Sequence, residues 1–272
     1  MAPLPPGSVP SLPLPDPEPP EPPRVASGSL RRILVVPDAH IPYHAPKALA
    51  LVREVAQQFR PNILVVIGDW GDCYCVSSFD KDPERKRFLR DELEECRVEM
   101  RALVEASRAE RVVICEGNHE ARIKKLLTKV PALHGLVSFP EYLGIQQNGW
   151  EWVPYKTSVR IGKMNYTHDV GRYGVNATRA TLQDSGTCVT FGHTHRLAEH
   201  YEGNHREGTR VCLNVGWLGD PAAADYQHID KVRRESQHGL GIQYQDQDGV
   251  TFSHAVPFVN GACEIEGRRV YV

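Results

Sequence analysis

The segment Ile33-Leu34-Val35-Val36-Pro37-Asp38-Ala39-His40 passes from four apolar residues into a carboxylate and an imidazole. Four further segments repeat this arrangement. Ile63–Ile67 leads into Gly68-Asp69, and Val112–Cys115 leads into Gly117-Asn118-His119-Glu120. Met164–Thr167 leads into His168, and Cys188–Phe191 into Gly192-His193-Thr194-His195. Short apolar runs of this kind read as buried strands. Metal chemistry needs carboxylate and imidazole donors that converge from distant parts of a chain. Strand ends deliver that, because open α/β sheets hold ligands at the carboxyl ends of their strands.

Outward from these segments the pattern alternates. Pro46–Phe59 reads as a helix between the first two strands. Glu84–Ala109, opened by Pro83, reads as a long amphipathic helix with Leu89, Leu93, Cys96, Met100 and Leu103 at spacings of three and four. Glu120–Lys129 continues as a helix up to Pro131, and 132–149 reads as irregular chain with Gly and Pro punctuation. From Trp150 the texture changes to short strands at Trp150–Pro154, Ser158–Ile161, Ala198–Tyr201, Arg210–Leu213, Gly241–Gln245 and Val250–Pro257. Asn176–Gln183 is the helix of this half. A βαβαβ half followed by a strand-rich half predicts two sheets packed face to face and flanked by helices.

The chain of 272 residues is long enough for one large α/β domain, and no linker interrupts it after Leu30. Residues 1–28 hold 11 of the 21 prolines. Such a segment cannot bury enough surface to offset its ordering entropy, and it reads as a flexible polyproline-type tail able to meet an SH3-like partner. The domain is therefore expected over 29–272. A net charge of −2 argues against a broad basic surface for nucleic acid. Seven scattered cysteines, with Cys115, Cys188 and Cys212 in apolar runs, suit a reducing compartment. No positively charged leader precedes an apolar core, and no run approaches the ~20 apolar residues needed to span a bilayer. The expectation is a cytoplasmic protein. Nothing in the sequence speaks to its oligomeric state.

Each motif has a bland reading beside a chemical one. Asp38 and His40, two apart in extended chain, project to one side and can share a cation. Asp69 has two oxygens and can bridge two metals, although Gly-Asp after a strand is also a common turn. Asn118 offers a neutral carbonyl oxygen suited to a mixed nitrogen and oxygen site. His119, its neighbour, is free to move protons, while Glu120 caps the following helix. His193 and His195 place two imidazoles at one strand end, and His168 sits in a Thr-His-Asp context that also suits a polar loop.

The set D-x-H, G-D-x-x-D, G-N-H-E, H, G-H-x-H, from about Ile33 to Val215, resembles the calcineurin-like metallophosphoesterase superfamily. The resemblance implies an α/β fold, a four-layer α/β/β/α sandwich with two mixed sheets. It implies two divalent metal ions, Mn by preference and Fe or Zn as alternatives. One would take Asp38, His40, Asp69 and His195; the other would take Asp69, Asn118, His168 and His193. His119 matches the family residue that protonates the leaving oxygen, and Asp72 the residue that orients it. The implied reaction is in-line attack of a metal-bound hydroxide on a phosphoester. The second motif, Gly68-Asp69-Trp70-Gly71-Asp72-Cys73-Tyr74, lacks the Asp-Arg-Gly of protein serine/threonine phosphatases. The loop with Trp70, Tyr74 and Phe79 is similar to those of phage and bacterial phosphoesterases.

Trp70 and Tyr74 are candidate substrate walls, with core packing as the alternative, and Arg122 is a candidate phosphate contact. Gly216–Gly239, with Trp217, His228, Lys231, Arg233 and Arg234, reads as a long functional loop. The function expected is metal-dependent hydrolysis of a phosphodiester or phosphomonoester in a small molecule or nucleotide. A repair-type nuclease is the alternative, disfavoured by the charge balance. A non-catalytic scaffold is disfavoured because every ligand position is filled.

Overall fold

β1 (Arg31–Val36) forms because its four central residues bury both faces. Leu34 and Val36 face one core, while Ile33 and Val35 face another. The same alternation holds in β2 (Ile63–Val66) and β3 (Arg111–Cys115). Strands covered on both faces read as continuous apolar runs, which is why periodicity of two is absent from them. In this computed structural model the described residues are 30–78, 81, 87–204, 208–223 and 235–272. The proline-rich segment, Phe79, the start proposed for the long helix, and His228, Lys231, Arg233 and Arg234 lie outside them.

Parallel pairing joins β1, β2, β3 and β4 (Glu151–Val153) in register, Val35 beside Val65 and Val65 beside Val113. α1 (Pro46–Phe59) makes the first crossover, with proline in its first turn and Arg60 in left-handed conformation at its end. Pro61 follows and forbids continuation. α2 (Leu89–Ser107) makes the second, burying Leu93, Cys96, Met100 and Leu103 along one face. α3 (Ala121–Lys129) follows β3. The stretch expected to be irregular contains α4 (Phe139–Leu143), whose Ser138 hydroxyl accepts from the Glu141 amide at 3.4 Å. Five residues are too few for a periodic signal, so the sequence pattern missed it.

The second sheet runs β5-β6-β7-β9-β8. These are β5 (Val159–Ile161), β6 (Met164–Tyr166), β7 (Cys188–Phe191), β8 (Leu197–Asn204) and β9 (Gly208–Val215). α5 (Ala177–Ser185) covers its outer face through Leu182, Phe191 and Cys212. β10 (Gly239–Gln245) then returns to the first sheet beside β1, antiparallel, and β11 (Thr251–Pro257) closes that edge. β12 (Ala262–Ile265) and β13 (Arg268–Tyr271) form a hairpin that packs on the α1 side. The layers are helices, six-stranded sheet, five-stranded sheet, helix: an α/β/β/α sandwich with two mixed sheets.

The two sheets meet through an apolar layer that includes Val35, Val65, Val113, Met164, Leu213 and Val215. A polar stitch crosses it at Gln243. Tyr166 Oη donates to Gln243 Oε1 at 2.6 Å, and Gln243 Nε2 donates to Thr190 Oγ1 at 2.8 Å and Ser253 Oγ at 2.9 Å. Every buried polar atom of that glutamine is thereby satisfied, so its burial carries no desolvation penalty left unanswered. All seven cysteines are free thiols. Among the described residues no helix is long and apolar enough to cross a membrane.

Candidate metal centre

The first sheet delivers Asp38, Asp69 and Asn118 from the ends of β1, β2 and β3, and the second delivers His168, His193 and His195 from the ends of β6 and β7. Asp38, His40, Asp69, His119, His168 and His195 are buried, while Asn118 and His193 are half-buried. Donor atoms of Asp38, His40 and His195 form one cluster, and those of Asp69, His168 and His193 form another, within 4.8 Å inside each. A third grouping of His40, Asp69 and His119 joins them. Asp69 Oδ2 is the shared point, 3.9 Å from His40 Nε2, 3.9 Å from His119 Nε2 and 3.2 Å from His168 Nε2. Asn118 Oδ1 lies 3.1 Å from His168 Nε2, on the side of the second cluster.

The backbone that carries these donors is unusual. His40, Asp69, His193 and His195 all have positive φ, at 53°, 48°, 69° and 58°. Non-glycine residues in this region cost of order ~1–3 kcal/mol each and persist where the surroundings over-determine them. Asp38 and His40 therefore do not share a side by lying two apart in extended chain, as the spacing suggested. His40 is turned by its left-handed backbone, and its amide is held by the Asp69 carbonyl at 2.9 Å. Two glycines make room for the carboxylates. A Cβ on Gly117 would lie 2.1 Å from Asp69 Oδ1, and one on Gly192 would lie 2.4 Å from Asp38 Oδ1.

Outer partners fix which ring nitrogen faces inward. His168 Nδ1 donates to the Ile67 carbonyl at 3.0 Å, leaving Nε2 as the nitrogen that faces inward. His40 Nδ1 donates to Asp72 Oδ2 at 3.1 Å, and its Nε2 lies 3.1 Å from His195 Nε2. Asp72 Oδ2 also lies 3.2 Å from His119 Nδ1. Asp72 thus orients His40 as well as His119, a double role that the motif alone did not indicate.

Charge in this pocket is out of balance without cations. Burial raises the Asp38 carboxyl to about 7, opposed by the His168 charge. Burial disfavours the His168 cation, but the Asp69 and Asp38 carboxylates outweigh it and push that ring up to about 10. Asp69 and Asp72, despite burial, are held below the usual carboxylate range by the neighbouring imidazoles. Asp38 Oδ1 is buried without a hydrogen-bond partner. An orphaned carboxylate oxygen, facing imidazoles whose tautomers are already fixed, fits a divalent cation with mixed nitrogen and oxygen donors.

Sequence reasoning missed two residues here. Glu120 stands at the N-cap position of α3, but its side chain makes no cap hydrogen bond: its carboxylate accepts from the amides of Asp69 at 3.2 Å, Gly117 at 2.8 Å and Gly71 at 2.9 Å. It clamps two ligand loops together, and its only sequence signal was an acid inside the G-N-H-E motif. Trp217 is not part of a free loop. It is 1% exposed, bridges Asp38 and His238, and stacks on His195 with centroids 4.8 Å apart and planes at 14°.

Two proposed substrate walls are corrected. Trp70 is wholly buried in the core under α2, with its Nε1 donating to the Cys96 carbonyl at 2.9 Å. Tyr74, in the 3-10 turn Tyr74–Val76, is 7% exposed and stands edge-on to Tyr43 at 5.9 Å. Arg122 is at the site. Its Nη1 donates to the Asp72 carbonyl at 2.8 Å, and its Nη2 lies 3.0 Å from His119 Nε2.

Residues 31–234 match the family model for calcineurin-like phosphoesterases, and the chain belongs to that family. It is 27% identical to the Gene 54 protein of Mycobacterium phage L5 and 28% identical to that of Mycobacterium phage D29. In both cases 88% of this chain and 98% of the relative are covered. Among solved structures, Vps29 from Cryptosporidium parvum aligns over 89% of this chain and 95% of its own, at 15% identity and a TM-score of 0.44. Nuclease MPE from Pseudomonas putida aligns over 82% and 88%, at 15% identity and a TM-score of 0.34.

Proposed function

We propose that this chain is a two-metal phosphoesterase acting on a small-molecule or nucleotide ester, with Mn²⁺ its preferred cation. The observation that carries the reading is the pair of donor clusters hinged on Asp69 Oδ2, with His119 Nε2 beside that same oxygen at 3.9 Å. Asp38, His40, Asp69 and His195 would hold one cation, and Asp69, Asn118, His168 and His193 the other. Cations bound there supply Lewis acidity to a phosphoryl oxygen and to water.

The chain's own residues do the rest. His119 presents Nε2 to the cleft and keeps Nδ1 against Asp72, so a proton at Nε2 is aimed at a leaving oxygen. The Asp69 and Asp72 carboxylates raise the His119 ring's affinity for that proton against the opposing effect of burial. Arg122 Nη2, which can only donate, meets the His119 Nε2 lone pair at 3.0 Å; an incoming phosphate would draw the guanidinium onto its own oxygens and free Nε2 to carry the proton. The complete donor set favours an enzyme over a non-catalytic scaffold.

The test is hydrolysis of bis-p-nitrophenyl phosphate and p-nitrophenyl phosphate by Mn²⁺-loaded protein, with Asp69→Asn as control. Cleavage of either that Asp69→Asn abolishes supports the reading, and their ratio assigns diester or monoester preference. Cleavage of neither with Mn²⁺, Fe²⁺ or Zn²⁺ overturns it.

A further inference from the structure

One large aromatic side chain stands exposed against the metal centre. Tyr173, in segment 169–176 between β6 and α5, is 63% exposed. Its ring meets the His193 ring edge-on, centroids 5.5 Å apart and planes at 63°. His193 lies in turn 5.1 Å from His168, so Tyr173 flanks the second donor cluster directly. Single exposed aromatics are ordinary on protein surfaces. What sets this one apart is contact with a candidate ligand, together with the fastening of the segment that carries it.

That segment is tied at three points. The Gly171 amide donates to Asp169 Oδ1 at 2.7 Å, and Tyr155 Oη donates to Asp169 Oδ2 at 2.9 Å. Arg172 pairs with Asp184 on α5. The ring is therefore presented to solvent from a braced loop, in T-shaped contact with His193 and with most of its surface exposed. A flat aromatic group attached to a phosphate at the second donor cluster would stand beside that ring, because His193 of the cluster is in contact with it. Stacking accepts any base or aryl ring, because each has a π-face, and it favours an aromatic ligand by roughly tenfold.

We propose that Tyr173 is a stacking platform that selects phosphodiesters carrying a flat aromatic substituent, a nucleobase or an aryl ring. The inference rests on the phosphoesterase reading above and names its substrate class.

Two measurements on the full-length Mn²⁺-loaded protein test it. Calorimetry compares adenosine 5′-monophosphate with ribose 5-phosphate. The wild-type protein should bind the nucleotide roughly tenfold tighter; Tyr173→Ala should reduce that advantage to about twofold or less, and Tyr173→Phe should keep it. Kinetics compare three p-nitrophenyl diesters whose second substituent is ethyl, phenyl or thymidine-5′-yl. The aromatic-over-ethyl ratio of kcat/KM should collapse in Tyr173→Ala and survive in Tyr173→Phe, and the phenyl and thymidine arms tell aryl from nucleobase. Equal binding of nucleotide and sugar phosphate by the wild-type protein overturns the platform, as does a nucleotide advantage retained in Tyr173→Ala. Absence of all hydrolysis overturns the phosphoesterase reading alone, since the calorimetric comparison still decides the platform.

Discussion

At Asp72 a single carboxylate oxygen faces the Nδ1 atoms of both His40 and His119. A residue serving only the proposed proton donor, His119, would affect turnover alone; this one also sets the tautomer of His40, a candidate ligand. Asp72→Asn should therefore weaken Mn²⁺ binding as well as slow hydrolysis, by about 10–100-fold in affinity. A metal titration followed by calorimetry reads this, and unaltered affinity would confine Asp72 to His119. Glu120 is the second residue whose loss should spread. Its two oxygens accept three amides, and the amine of Glu120→Gln would face at least one N–H. An unmet buried donor costs about 1–3 kcal/mol. The expected result is lower stability in urea together with reduced metal occupancy, and unchanged stability would remove the clamp from the account.

At the scale of the element, α2 carries a buried acid on its packed face. Glu92 is 1% exposed, and the Arg87 charge and the Tyr74 and Cys75 amides offset only part of the cost of burying its carboxylate. Burial, helped by the Asp72 charge, raises its carboxyl to about 7. A carboxyl whose folded pKa exceeds its unfolded value of about 4.5 binds its proton more tightly when folded. Its penalty to stability therefore grows as pH rises from about 4.5 through about 7 and is full above that range. Glu92→Gln should raise the Tm at pH 8 by more than at pH 5, and an equal change at both would show that ionisation of Glu92 plays no part. The helices were among the most legible elements. α1 matches its expected bounds because Pro46 and Pro61 frame its apolar face. α4 was hidden because one turn carries no period.

For the whole molecule, the ligands belong to two different sheets. Four candidates, His40 among them, follow β1, β2 and β3, and three follow β6 and β7. Their convergence depends on the apolar layer between the sheets. Leu213→Ala in that layer and Leu103→Ala on the buried face of α2 should each cost about 2–5 kcal/mol. Only Leu213→Ala should also weaken Mn²⁺ binding, because only it loosens one half of the donor set against the other. Equal metal affinities in the two variants would show that the site tolerates sheet movement. Conversely, Mn²⁺ at about 100 times its Kd should stabilise the wild-type protein by about 2.7 kcal/mol. Asp69→Asn should lose most of that gain in a thermal scan, since Asp69 Oδ2 stands at the meeting of both clusters.

The order of apolar run and ligand motif marked the central strands and the seven candidate ligands, apolar spacing marked α1, α2, α3 and α5, and the strand-rich texture after Trp150 gave the two-sheet class. It succeeded because both faces of the central strands are buried, so their composition is apolar throughout, and because ligand types cluster where those strands end. Tertiary structure alone decided the rest. Whether Trp70 faced the core or the cleft depended on the position of α2 above it, and whether Trp217 lay in a loop or against His195 depended on a bridge to Asp38. The left-handed turn at His40, the triple grip of Glu120 and the nearness of Tyr173 to His193 also arise between segments far apart in sequence. A local pattern records which faces are buried and which residue types can ligate; it holds no record of which distant side chain will stand opposite.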